Sequence, residues 1–444
     1  MDFLAQLPSF GNAIWTLVAF VAALSVIVAV HEYGHYIVGR WCGIKADVFS
    51  LGFGPKIAGW TDRHGTHWQI AALPFGGYVK FKGDSDAASG RDEHALDTMS
   101  PEERRDTMHG APLWARSATV AAGPVFNFAL SILIFAGIAL WSGIATEEAR
   151  VGKVKPLPMA QALEPGDLIT ALDGKPVGSL SDFYTVADGL TPVAEVSYTV
   201  DRAGQVMELT GPFPFPPLAD LVQPDSAAQD AGLKAGDVIL AVNGTPIHAF
   251  SQLRAMIGDS DGAPQTLEVW RDGQTQPVTL TPRRVDLPVP DGGFETRWLI
   301  GLTGGLVFEP ETRRAGPFEA MWLGVRQTGM IVQTSLSGLW HMVTGAISSC
   351  NLRGPLGIAE SSGNAAAQGT MTFVWFIAML STAVGMMNLF PVPVLDGGHL
   401  VFHAWEAVTG KPPSDRALRG LMTGGLALLL TLMVFALTND LFCP

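Results

Sequence analysis

The sequence predicts a membrane α-helical protein with four transmembrane helices, a membrane-associated β-hairpin region and two exported α+β units. Three observations predict this. The 444 residues are 48% hydrophobic and only 16% charged, with a mean hydropathy of +0.27, whereas a typical soluble domain is about 25% charged. Four apolar stretches, at 11–30, within 117–144, within 370–394 and at 421–437, are long enough to cross ~30 Å of hydrocarbon. A block around residue 163 recurs 70 residues later, in a section that has no such stretch. The formal net charge of -13 excludes a nucleic-acid partner, which needs basic surface. Three cysteines, Cys42, Cys350 and Cys443, form no CxxC and no disulfide framework; Cys350 and Cys443 could pair if both face an oxidising compartment, but free thiols are the expectation.

The first segment, 1–40, carries no charge from Phe3 to Val30 and ends in VAVHEYGH. It lacks the basic start and small-residue cleavage site of a secretory signal. An ionised group at the centre of a bilayer helix costs roughly 2.5–3.5 kcal/mol, so two histidines and a glutamate there need a compensating role. His31 and His35 are four apart, so on a helix both imidazoles share a face and reach one cation. Glu32 is then held beside that cation as a proton acceptor. Zinc is the cation this pattern suits, because it acidifies water to a pKa of about 7.

Residues 41–113 form the β region and a polar loop. ADVFSLGFGPKIAGW and WQIAALPFGGYVKF look like strands with Gly-rich interruptions. A strand edge beside the metal would hold a substrate whose helix has been unwound, and Gly52-Phe53-Gly54 lets another backbone approach. An ordinary hairpin is the plainer reading. Residues 84–108 read as a solvated excursion with a short helix capped by Ser100 and started by Pro101. In the second span, 114–146, Gly123 and Pro124 would kink or thin the helix, and Asn127 is a polar group in lipid.

The exported section holds the repeat. LEPGDLITALDGKPV and LKAGDVILAVNGTPI share Leu, Gly-Asp, Ile, Ala, Gly and Pro in register. Each has a GD turn, an alternating strand and then Asp-Gly or Asn-Gly, a strong hairpin signal. Both resemble the core of PDZ domains, which implies PDZ-like units over 147–215 and 216–286. They either bind extended peptide or act as a size filter. Residues 287–369 are expected to be a linker plus an amphipathic helix within 317–348, lying in the membrane interface or packed on the exported units.

The third span, 370–405, ends in NLFPVPVLDGGH. Catalytic zinc takes three protein ligands and keeps one open position. Asp396 is the only carboxylate between 361 and 405, and Pro391 and Pro393 break the helix beside it. His399 and His403 form a rival pair. Asn388 serves either as a helix-helix hydrogen bond or as a holder of the substrate carbonyl. The final segment, 406–444, is a loop and the fourth span. Ten basic residues lie between spans one and two, and three between spans three and four. The positive-inside rule places those loops in the cytoplasm and the termini and middle section outside.

HEYGH in the first span with NLFPVPVLDGGH in the third resembles the site-2 protease family of intramembrane zinc metalloproteases. Two PDZ-like units narrow the resemblance to its bacterial regulator-of-sigma-E type. The resemblance implies Zn2+ on His31, His35 and Asp396, with Glu32 as base. It implies substrate contacts at Asn388, at Asn127 within a GPxxN element, and at the GxG motif Gly52-Phe53-Gly54. It also implies cleavage inside a trimmed single-pass membrane protein, an anti-sigma factor or a signal-peptide remnant. The place is a bacterial inner membrane, with lipid around the chain and the repeat units in the periplasm. A silent scaffold and a metal transporter are the competing classes. The latter predicts further intramembrane carboxylates, which spans two and four lack.

Overall fold

The computed structural model describes residues 10–85, 99–223, 226–288 and 294–442. The chain divides into two compact units, 1–138 with 317–340 and 352–443, and 139–316 with 341–351.

Among the described residues the first unit holds four helices long and apolar enough to cross a membrane: Ile14–Trp41, Leu113–Ser142, Thr370–Asn388 and Arg416–Phe442. The first belongs to a helix over Phe10–Trp41, which runs unbroken through the histidine motif. The second is continuous through Pro124. The two helices meet closely, because a side chain at Gly34 would put its Cβ 2.6 Å from the Ala122 carbonyl oxygen. Ser131 of the second helix donates to the Ala378 carbonyl of the third. Ser381 of the third returns a bond to the Asn127 carbonyl. Where no water competes, such hydroxyl bonds join helices that lipid alone does not drive together.

After the first helix come two antiparallel strands, β1 (Ala46–Thr61) and β2 (His67–Phe81). Both bend, so residues 48–51 pair with 77–80 and also with 67–70. Asp62 at the turn accepts bonds from Tyr36 Oη at 3.2 Å and Trp68 Nε1 at 2.9 Å, which ties the turn to the end of the first helix. The short helix Pro101–Arg105 starts with a capping box between Ser100 and Glu103. Residues 86–98 of the polar excursion lie outside the described residues.

The amphipathic segment is a helix over Pro317–Val343. Its small buried face, Ala320, Gly324 and Thr328, sets Gly324 against the Ile132 backbone of the second span. Phe318 and Trp322 on the same helix are exposed. A further helix, Pro355–Ala367, follows in what reads as linker. Asp440 accepts from the Gly354, Leu356 and Gly357 amides at its start, at 2.7, 3.0 and 3.1 Å.

In the second unit each repeat builds a four-stranded sheet and a short helix. The first sheet joins Lys175–Pro176, Leu168–Leu172, Glu195–Arg202 and Gln205–Pro212, in that order. The second joins Thr245–Pro246, Val238–Val242, Gln265–Arg271 and Gln274–Leu280. Asp173-Gly174 and Asn243-Gly244 all take positive φ, as two-residue hairpin turns demand. The segment after the second repeat does more than link. Leu302–Gly304 pairs with Ala219–Val222 of the second repeat, and Phe308–Pro310 pairs with Val151–Val154 of the first repeat. Phe308 enters the first core against Phe183, with ring centres 5.5 Å apart. Cys350 is disulfide-bonded while Cys42 is free, which corrects the expectation of free thiols at Cys350. Bridging needs only proximity in space, which spacing in the chain does not show. Cys443 lies outside the described residues.

The repeated GD turn has a physical cause. Asp167 and Asp237 are each 1% exposed. Each accepts the amide three residues before it and takes a two-pronged bond from an arginine, Arg202 at 2.7 and 2.8 Å and Arg271 at 2.6 and 2.6 Å. Burial alone would raise the Asp167 carboxyl, but the bonds from Arg202 and the Glu164 amide outweigh it and hold it below the ordinary range. A carboxyl lowered by folding stabilises the fold above its unfolded pKa, about 3.9, and that gain is lost as pH falls through the folded value. The protection of the amides over 168–202, taken relative to their intrinsic exchange rates, is therefore expected to fall below about pH 4. In Asp167→Asn that fall is weaker, and the first repeat is destabilised at neutral pH by about 2 kcal/mol. Equal acid sensitivity in the variant would refute the assignment.

Candidate metal centre

His31 and His35 stand one turn apart on the first helix, with their Nε2 atoms 3.2 Å apart. Asp396 opens the helix Asp396–Thr409, which follows the proline break. Its Oδ2 lies 3.2 Å from His31 Nε2 and its Oδ1 lies 3.5 Å from His35 Nε2. Among the described residues these three side chains form the group able to hold one ion, with ligand atoms within 4.8 Å of one another. Zinc bonds of about 2.0–2.2 Å at tetrahedral angles place ligand atoms roughly 3.4 Å apart, which fits these spacings. The fit has a second sign. Asp396 Oδ2 is buried with no hydrogen-bond partner in the described structure, the state of an oxygen aimed at a cation.

The outer bonds set the tautomers. His35 Nδ1 lies 2.8 Å from the Thr119 carbonyl oxygen. Only a protonated Nδ1 bonds there, which leaves the Nε2 lone pair for the ion. His31 Nδ1 lies 3.2 Å from the Asn127 amide, whose Oδ1 is buried and unpaired. Amide orientation is assigned from its bonds. Turned over, Asn127 accepts from His31 Nδ1–H, and both groups are satisfied. Asn127 is wholly buried. The contact its side chain makes in this structure is with His31. Gly123, one turn earlier, lies against both imidazoles, and a Cβ there would sit 2.6 Å from His35 Cε1 and 2.8 Å from His31 Cε1.

A cavity of about 320 Å³ opens on the centre. His31, Glu32, His35, Asn388 and Asp396 line it, with Gly77, Tyr78 and Val79 of β2. Glu32 and Val79 line the same wall of this cavity. Asn388, the last residue of the third span, donates to the Val384 carbonyl at 3.1 Å. Gly52 and Gly54 have φ of +90° and +84°. Gly52, Phe53 and Gly54 do not line this cavity. Phe53 instead stacks on Tyr78, at 5.9 Å between ring centres. The strand at the cavity is thus the end of β2. Its Gly-Gly pair before YVKF is the signal that could have identified it. His399 and His403 line the same cavity but do not join the ligand group.

Two histidines one helical turn apart, a glutamate beside them and a facing aspartate, set among membrane-length helices, define a metal-dependent hydrolase of the membrane. The model of peptidase family M50 matches residues 19–432, so the chain belongs to that family of site-2 type zinc metalloproteases. A relative in Agrobacterium fabrum, assigned by name to the zinc metalloproteases, is 36% identical over 96% of this chain and 95% of its own. The regulator of sigma-E protease of Salmonella typhimurium strain 14028s is 34% identical over 97% of this chain and 99% of its own. A zinc metalloprotease name also goes with a Rhizobium meliloti relative, 37% identical over 97% of each chain.

Proposed function

We propose that this zinc metalloprotease hydrolyses a peptide bond within the transmembrane segment of a single-pass protein whose outer domain has already been removed. The carrying observation is the convergence of His31, His35 and Asp396 among membrane-length helices, with Glu32 on the same cavity. A zinc ion on these residues supplies Lewis acidity to the scissile carbonyl and to water. The Glu32 carboxylate takes the proton of the attacking water and passes it to the amide nitrogen as the C–N bond breaks. Asn388 orients the substrate carbonyl from across the cavity. A helical segment must first unwind to expose that carbonyl. The end of β2 supports strand capture, because Gly77, Tyr78 and Val79 line the cavity beside Glu32.

The orientation proposed is an inner-membrane one, with both termini and the repeat units in the periplasm. The basic loops support it, as does the disulfide at Cys350 set against the free thiol at Cys42. The family resemblance suggests an anti-sigma factor as the substrate, with signal-peptide remnants as a second class. The PDZ-like units exclude substrates that keep a bulky outer domain. A peptide-binding role has support in the second unit, where Leu302–Gly304 pairs only with Ala219–Val222 among the described residues. The test is reconstituted protein given one helical substrate with a short outer tail or with a folded outer domain. The short form is expected to be cut at least tenfold faster, inside its apolar segment. Equal rates would refute the filter, and a cut outside the segment would refute intramembrane cleavage.

A further inference from the structure

Two pairs beside the cavity have no part in the chemistry above. Arg116, at the start of the second span, grips Glu406 with both prongs, Nη2 to Oε1 at 2.6 Å and Nη1 to Oε2 at 3.1 Å. Both side chains are 18% exposed. The neighbouring Ser117 Oγ lies 3.1 Å from His403 Nδ1. Glu406 and His403 are on the helix Asp396–Thr409, the helix that Asp396 opens. The far side of that helix is open, with Val401, Trp405 and Val408 at 50%, 58% and 87% exposure. These polar bonds therefore pin it on the side that faces the metal centre. Thr119, three residues beyond Arg116, accepts from His35. One turn of the second span thus touches both halves of the ligand set.

We propose that Arg116 and Glu406 are a positioning pair that fixes the depth and rotation of the helix Asp396–Thr409. In that role they bring the Asp396 carboxylate to the ion held by His31 and His35. The inference rests on the metal reading of those three residues. The guanidinium fork suits the task, since it sets direction as well as distance, which a lysine ammonium does not. Removing either partner strands the other charge in a poorly solvated site and frees the helix to turn. Outer-shell groups of this kind typically change metal affinity by 10–100-fold.

The experiment is zinc retention by the purified full chain against a graded chelator, read for wild type, Arg116→Ala, Glu406→Ala, the double variant and Arg116→Lys. Each single alanine variant is expected to hold zinc about tenfold more weakly. The double variant is expected to be no weaker than either single, because the two act as one device. Arg116→Lys keeps the charge, so the fold is retained, but it loses the fork and is expected to bind zinc less tightly than wild type. Helix content by circular dichroism separates these effects from unfolding. Wild-type zinc affinity in the folded single variants, or in Arg116→Lys, would overturn the proposal, as would a double loss equal to the sum of the singles. Wild type that fails to hold zinc would instead overturn the metal reading itself.

Discussion

Glu32→Gln is expected to retain zinc and lose peptidase activity by about 10²–10⁴-fold in kcat, the range that a positioned general base supplies. The substitution keeps the side-chain volume, so the packing beside Val79 of β2 survives. It removes only the ability to take a proton. His31 and His35 keep their outer bonds to Asn127 and the Thr119 carbonyl, so the ion site keeps its tautomers. KM is expected to change little, because the loss falls on the transition state and not on substrate binding. A Glu32→Gln protein that cleaves at the wild-type rate while holding zinc would refute the proteolytic mechanism. Such a result would move the chain toward the scaffold reading.

Much of the centre was legible in the sequence because its chemistry is costly where it stands. Two histidines and a glutamate ending an apolar helix, and a lone carboxylate beside two prolines, have few cheap explanations in lipid. The repeat was legible through its turns, since Asp-Gly and Asn-Gly take a backbone conformation that few residues accept. What stayed hidden was long-range. Leu302–Gly304 and Phe308–Pro310 are three residues each, too short for any periodicity, and exist only through partners far back in the chain. The helix Pro355–Ala367 reads as linker, PLGIAESSGNAAA. Its amides are capped by Asp440 in the last helix, and Gly363 packs on Thr16 in the first.

Asn127 shows the same limit at the site itself. The sequence marks it as a polar group in lipid and leaves its partner open. Its bond to His31 crosses 96 positions and becomes visible only once Gly34 and Gly123 let the first two helices touch. Motif form assigns Gly52-Phe53-Gly54 to the substrate, yet Gly77, Tyr78 and Val79 are the strand residues at the cavity. Such a motif fixes which backbone bends, while register decides which strand ends beside Glu32.

The account stands on a single ion shared by helices that are distant in the chain, so bound metal is the direct test. Wild type purified without added metal is analysed for zinc beside Asp396→Ala, with folding of both checked by circular dichroism. About one zinc per chain is expected in wild type, since one three-residue ligand group serves one catalytic ion. Asp396→Ala is expected to lose most of that zinc and all measurable cleavage, because two imidazoles from one helix are an incomplete site. A folded Asp396→Ala protein that keeps its full zinc would contradict the account.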